Sequence, residues 1–305
     1  MTTPRVAAID IGTNSTRLLV ADVDDGRIAA EVERLLEITR LGDGVDASRR
    51  LSGASMERVH ATLARYVERA RALGASRPLA IATSAVRDAA NGPEFLAEAE
   101  RRHGVQARVL SGHEEARMTF RGVTSARAAG PGTLVCDIGG GSTELVLGDA
   151  DSVRAAVSLE LGCVRMSERF LASDPPAAAE LEALRKAAAE ALAGDLARAA
   201  RLLIGVAGTV TTLATIDLGL PEEQPELIDG HVLTATAVHK LLAELAAMPL
   251  AERRAVRGLM PARAPTIVAG AAILAEALRA CGLDRLSVSE RDILHGAALA
   301  AAELA

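Results

Sequence analysis

Two short apolar runs, at residues 6–9 and 134–136, break off into nearly the same polar turn. Residues 8–22 read AIDIGTNSTRLLVAD and residues 135–149 read VCDIGGGSTELVLGD. At a spacing of 127, Asp10, Ile11, Gly12, Ser15, Thr16, Leu18 and Asp22 match Asp137, Ile138, Gly139, Ser142, Thr143, Leu145 and Asp149. Identity clustered on Asp, Gly and hydroxyl residues is not what an Ala/Leu-rich composition supplies, and it predicts two halves of similar design. In each half, two apolar runs flanking Asp-Ile-Gly and a polar turn predict a pair of strands joined by a tight hairpin. Glycine lets the backbone pass close to a ligand, and successive amides in such a turn can point at one anion.

The stretches between and after these hairpins alternate helix and strand signals. Residues 53–73 carry apolar and small residues at helical spacing and stop at Gly74. Residues 78–83 form a short buried strand, and Asn91 is an N-cap for the helix that follows it. A strand ends at residues 109–110, and Ser111 opens another helix. The sequence AAGPG at 128–132 reads as a linker and places a domain boundary near 126–131. Helices follow near 176–200, 234–246 and 264–281. Strands followed by helices, twice over, predict an α/β fold with mixed sheets, divided into lobes at 1–127 and 128–292.

Length and charge narrow the function classes. With 305 residues the chain suits two cores rather than one. A net charge of −6 and 1% aromatic residues argue against nucleic acid as a partner. Of the 34 basic residues only Lys186 and Lys240 are lysine, so any anion site is built from arginine, whose planar fork suits phosphate. No run of about 18 uncharged apolar residues indicates a membrane span, and no signal-peptide pattern opens the chain. Cys136, Cys163 and Cys281 are isolated, which predicts core residues in a reducing, cytoplasmic compartment. The six histidines are scattered without metal-ligand spacing and read as surface or core residues. There is no Gly-x-x-x-x-Gly-Lys-Ser/Thr loop and no Gly-x-Ser-x-Gly elbow.

Three further segments carry candidate chemistry. In Ala82-Thr-Ser-Ala-Val-Arg, an apolar strand ends in hydroxyls, and Arg87 follows at a strand's carboxyl end, where ligands of open α/β sheets gather. In Leu110-Ser-Gly-His-Glu-Glu-Ala-Arg, Ser111 and Glu114 have the spacing of a capping box, which assigns Glu114 to structure. Glu115 has no such assignment; it can orient or deprotonate a water, or simply favour the helix dipole. In Leu203-Ile-Gly-Val-Ala-Gly-Thr-Val-Thr-Thr, Gly208 and Thr209 open a helix after a strand, where backbone amides bind anions.

Taken in order and spacing, AIDIGTNSTRLL, LGDGVDASRRLS, ATSAVRDAAN, SGHEEARMTFRGV, CDIGGGSTELVLG, GVAGTVTTLA and RAPTIVAGAAIL resemble the exopolyphosphatase/guanosine pentaphosphate phosphohydrolase (Ppx/GppA) family over residues 7–275. The resemblance implies two similar actin-like lobes with the site in the cleft between them, and a final helix, 293–305, packing back on the first lobe. It implies Glu115 as catalytic base and Asp137 and Glu144, with Asp10, as residues serving Mg²⁺. Phosphate contacts would come from Thr13, Asn14, Ser15 and Arg87, from Gly139, Gly140, Gly141 and Ser142, and from the Gly208–Thr209 turn. Near the C-terminus the family often shows Gly-Leu-Arg-Glu-Gly, where this chain has Asp292-Ile-Leu-His-Gly296. The chain also lacks the extra C-terminal domains of longer members, which points to short chains as substrate.

The activity so implied is release of terminal phosphate from inorganic polyphosphate by Mg²⁺-assisted water attack. Guanosine pentaphosphate hydrolysis, and a non-catalytic regulator that binds polyphosphate or an alarmone, stay open as alternatives, as does a homodimer.

Overall fold

The computed structural model describes residues 4–75, 77–126, 128–150 and 152–304. Residues 1–3, 127 and 305, which the sequence reading assigns to the ends of the first lobe, lie outside the described residues. The chain divides into two compact units, Met1–Ala128 with Asp292–Ala305, and Ala129–Arg291.

The first unit is built on β1 (Arg5–Ile11), β2 (Thr16–Asp24), β3 (Arg27–Glu37), β4 (Leu79–Ala82) and β5 (Gln106–Val109), in the order β3-β2-β1-β4-β5. β1 is antiparallel to β2 and parallel to β4, and β4 is parallel to β5. Successive side chains of β1 enter two different cores. Ala7, Ile9 and Ile11 pack with Leu63, Tyr66 and Phe95 of the helices Gly53–Ala72 and Gly92–His103. Val6 and Ala8 pack with Leu294, Ala298 and Leu299 of the last helix, Ile293–Ala302. A strand covered on both faces has no polar side to show, so its sequence is continuously apolar rather than alternating.

The last helix meets the helix Gly112–Thr124 through glycines. A Cβ on Gly122 would lie 1.9 Å from the carbonyl oxygen of Asp292, and one on Gly296 would lie 2.1 Å from that of Met118. Leu294, which stands at the arginine position of the family's Gly-Leu-Arg-Glu-Gly, is a fully buried member of this core.

The second unit contains β6 (Ala129–Ile138), β7 (Thr143–Ala150), β8 (Ser152–Leu159), β9 (Leu202–Val206), β10 (Val232–Thr234) and β11 (Arg285–Val288), ordered β10-β11-β9-β6-β7-β8. Read from β8, this is the third-second-first-fourth-fifth order of the first unit, with the same strand directions and β10 added as an antiparallel edge. The fifteen-residue echo therefore marks a repeat of the whole sheet, and the α/β class with two similar lobes is what the structure has. With few aromatics available, the core is filled by aliphatic residues around the buried helix Ile267–Cys281.

Three local expectations are corrected. Residues 129–132 are not a free linker but the start of β6. Ala129 pairs with Ala150 and the register shifts before Thr133 pairs with Gly148, so Gly-Pro-Gly makes a bulge instead of a break. Asn91 occupies the N-cap position without capping, because its side chain is spent on Leu51, accepting from the N–H at 2.8 Å and donating to the carbonyl at 3.0 Å. The helix expected at 176–200 divides at Gly194 into Ala178–Leu192 and a single turn, Asp195–Arg198.

Candidate active site

In the first unit, the carboxyl ends of three parallel strands line up: Ile11 is level with Ala82, and Ala82 with Val109. The segments leaving these ends are the 12–15 turn, the short helix Ser84–Asp88 and the helix Gly112–Thr124. In the turn, the Gly12 N–H donates to the Ser15 carbonyl at 2.9 Å. The Gly42 and Arg40 amides donate to the carbonyls of Thr13 and Asn14 at 2.8 and 2.9 Å. A trans peptide holds its N–H antiparallel to its C=O, so the amides of Asn14 and Ser15 face the opposite way, as an anion requires. The Thr13 hydroxyl is hydrogen-bonded to that of Ser84 at 2.8 Å.

Glu114 and Glu115 are neighbours with separate work. The Ser111 Oγ accepts from the Glu114 N–H at 3.3 Å, and Glu114 Oε2 accepts from the Ser111 N–H and hydroxyl at 2.8 and 2.7 Å. This is the capping box, and the Ser111 donors hold the Glu114 carboxyl below its ordinary range. Glu115 is 7% exposed, and its Oε2 accepts from Arg87 Nη1 at 2.8 Å. The same Nη1 donates to the Leu110 carbonyl at 2.9 Å. Arg87, expected to grip phosphate, therefore first fixes the orientation of Glu115.

Asp10 is likewise already engaged. Arg17, its cross-strand partner, donates to Asp10 Oδ2 from Nε and Nη2 at 3.0 and 2.7 Å, and to Asp292 through Nη1. Burial raises the Asp10 pKa despite Arg17. Burial also opposes ionisation of Asp292, but the Arg17 charge overrules it and holds that carboxyl well below its usual value. Asp10 Oδ1 is buried and without a hydrogen-bond partner among the described residues, so it retains capacity for a metal-bound water or a metal.

The second unit repeats the turn with the same wiring. The Gly139 N–H donates to the Ser142 carbonyl at 3.0 Å. The amides of Cys163, Val164 and Arg165, at the start of the helix Cys163–Phe170, donate to the carbonyls of Gly139 and Gly140, and Arg165 Nε donates to that of Gly141 at 2.7 Å. The amides of Gly140, Gly141 and Ser142 then point away from that helix. Asp137 is level with Val206 at the end of β9, directly before the Ala207-Gly208-Thr209 turn into the helix Ala207–Asp217. Arg263 holds the Gly208 carbonyl and also donates to Thr212 Oγ1 at 2.8 Å, which turns the Thr209 amide the other way.

Asp137 and Glu144 face each other across β6 and β7. Both are buried, and Glu144 Oε1 accepts from the Ser158 hydroxyl at 2.6 Å. Where the first unit sets Arg17 opposite its aspartate, the second sets another carboxylate. Two acidic oxygen donors at one buried place suit a hard dication such as Mg²⁺.

Several residues that build the site receive no role from the sequence, although Arg17, Gly42 and Arg263 lie inside the quoted motifs. Gly42 and Gly162 admit the supporting segments: a Cβ on either would come within 2.2 or 2.3 Å of the turns. Arg17, Arg40, Arg165 and Arg263 support them from distant sequence positions, and only the cross-strand register and the folded packing reveal it. One more group could hold a metal ion, Glu57, His60 and Glu98, of which His60 reads from the sequence as a surface or core residue without ligand spacing.

Compared with known proteins, residues 19–303 match the family described as the Ppx/GppA phosphatase family. The chain is 39% identical over 319 residues to Exopolyphosphatase 2 of Mycobacterium tuberculosis, covering 99% of this chain and all of that protein. It is 29% identical over 290 residues to Exopolyphosphatase 1 of Mycobacterium tuberculosis, covering 93% and 84%. The crystal structure of the Aquifex aeolicus Ppx/GppA family member matches with a TM-score of 0.81 at 30% identity over 97% of each chain. An exopolyphosphatase structure from Cytophaga hutchinsonii matches with a TM-score of 0.86 at 26% identity over 96% of each chain.

Proposed function

The chain belongs to the Ppx/GppA phosphatase family, and from that premise we propose that it is an exopolyphosphatase, releasing orthophosphate from the end of inorganic polyphosphate. The observation that carries the mechanism is the state of Glu115: buried, fixed by Arg87, and beside a glutamate that the capping box has already consumed. Glu115 Oε1 or Oε2 accepts a proton from water as the water oxygen bonds to the terminal phosphorus. The bridging P–O bond breaks, and its electron pair leaves with the shortened chain. A positioned base of this kind contributes about 10²- to 10⁴-fold.

The amides of Asn14 and Ser15 and of Gly140, Gly141, Ser142 and Thr209 hold phosphoryl oxygens, preorganised by the bonds that fix their carbonyls. Asp137 and Glu144 would hold Mg²⁺, and the unpartnered Asp10 Oδ1 of the first unit is a further acceptor that could serve it. When bound, the cation offsets the charge that builds on the phosphoryl oxygens. No helix among the described residues is long and apolar enough to cross a membrane. The three cysteines are buried thiols, which supports the reducing cytoplasm as the compartment.

Orthophosphate release should be measured from polyphosphate and from guanosine pentaphosphate, with Mg²⁺ and with EDTA. The reading expects Mg²⁺-dependent release from polyphosphate, lost in Glu115→Gln. Faster turnover of guanosine pentaphosphate would transfer the chain to that substrate, and no release from either would make it a binding protein.

A further inference from the structure

Helices Gly53–Ala72 and Gly92–His103 of the first unit carry a cluster that the hydrolytic reading does not use. Glu57 and His60 lie one helical turn apart on the first helix, and Glu98 lies on the second. One donor atom from each lies within 4.8 Å of the others. We propose that Glu57, His60 and Glu98 form a binding site for a Zn²⁺-type transition-metal ion, separate from the residues of hydrolysis.

The imidazole is the anchor. His60 is 2% exposed, and its Nε2 is buried with no hydrogen-bond partner among the described residues. That atom faces Glu98 Oε2 at 3.8 Å, beyond hydrogen-bond reach. The other ring nitrogen, Nδ1, is bonded to His103 Nε2 at 3.1 Å, and the ring of Phe95 lies 5.2 Å away, centroid to centroid. The ring is thus held by His103 and Phe95, with one unsatisfied nitrogen facing two carboxylates. A metal-ligating histidine almost always uses its second nitrogen as a donor, and the His60 Nδ1···His103 Nε2 contact supplies such a bond in the tautomer that carries the proton on His60 Nδ1. Burial lowers the His60 pKa, and Arg102 adds to that, which favours the neutral ring that a ligand must be.

Without a metal, Arg102 serves as the cation. Its guanidinium donates to Glu57 Oε1 and Oε2 at 2.9 and 3.4 Å and to Glu98 Oε1 at 3.1 Å. Its side chain is half exposed and can swing into solvent when a dication takes over the carboxylates. Zinc bonds of about 2.0–2.1 Å in a tetrahedron place ligand atoms roughly 3.3 Å apart, so the exposed Glu57 and half-buried Glu98 need to close by on the order of 1 Å. One imidazole nitrogen with two carboxylates selects a borderline ion over Mg²⁺, which prefers oxygen donors and retained waters.

The test is calorimetric titration of the chelator-treated full chain with Zn²⁺ alone. One equivalent should bind in the parent and persist in Asp137→Asn/Glu144→Gln, but be lost in Glu57→Gln/Glu98→Gln, whose positions are on the surface and leave the core intact. Arg102→Ala should tighten binding by about tenfold or more, because the competing cation is gone. His103→Gln should weaken it by roughly 10- to 100-fold, and the ¹⁵N resonance of His60 Nε2 should shift on Zn²⁺ addition. Unchanged stoichiometry in the double glutamine variant would put the ion elsewhere. Absence of Zn²⁺ binding in both parent and Arg102→Ala would leave only an ion-pair cluster.

Discussion

Glu144 sits directly opposite Asp137 across β6 and β7, at the place where the equivalent hairpin sets Arg17 opposite Asp10. One hairpin thus pairs its aspartate with an arginine, while the other sets two buried acids opposite each other. Like charges facing across strands are destabilising, so removing one of the two carboxylates relieves repulsion, and on the proposed reading it also removes a Mg²⁺ ligand. Glu144→Gln should therefore raise the thermal midpoint in EDTA and raise the Mg²⁺ concentration needed for half-maximal activity. Thermal scans with and without Mg²⁺ check both halves. A midpoint that falls in EDTA would show that the pair is not under charge strain.

Glu115→Gln should lower turnover by about 10²-fold or more, as loss of a general base does. Substrate affinity should stay within a few-fold, because glutamine keeps the shape. Glu114→Gln should retain most activity, since glutamine also completes a capping box. Steady-state kinetics on polyphosphate separate the two; equal losses would mean that the neighbouring carboxylates do not divide their work as described.

The same cap gives a pH signature. The Ser111 hydroxyl and N–H hold the folded pKa of Glu114 below its ordinary value of 4.5. A depressed folded value means that the stabilisation is present above the unfolded value and disappears as pH falls through the folded one. The stability gap between parent and Glu114→Gln should be open near neutrality and close in acid, read by urea unfolding across that range.

Gly162 lies against the anion-facing turn: a Cβ there would come 2.3 Å from the Gly140 carbonyl group. Gly162→Ala must push this backbone away, and overpacking of that kind costs roughly 1–3 kcal/mol. Activity should fall with it, because the displaced amides are those of Gly140 and Gly141. Gly194→Ala is the control, with nothing within 4 Å of the added carbon. Circular dichroism melts and phosphate-release assays on the pair decide it.

Ala207 has φ of +67°, a left-handed conformation at the entry to the Gly208–Thr209 turn. An alanine there costs about 1–2 kcal/mol, of which glycine's greater unfolded freedom offsets about half. Ala207→Gly should be neutral to about 1 kcal/mol more stable, and Ala207→Val clearly less stable. Denaturant midpoints that rank valine above glycine would contradict the assigned backbone.

The chain's own pattern determined a good deal of this protein. The echo between residues 8–22 and 135–149 fixed two similar α/β halves, because an apolar run that must be covered on both faces and then turn at glycine has few alternatives. The Ser111 and Glu114 spacing separated a structural glutamate from Glu115, because a capping box is a local geometry. Other features were not local. Arg17 and Asp292 are paired across most of the chain length, Arg87 turned out to hold Glu115, and residues 129–132 joined a strand where their composition suggested a linker. Asn91 left its helix end for Leu51. In each case the deciding partner lies far away in sequence. A side chain's hydrogen bonds go to whichever polar group the fold brings within about 3 Å, and no window of sequence contains that distance.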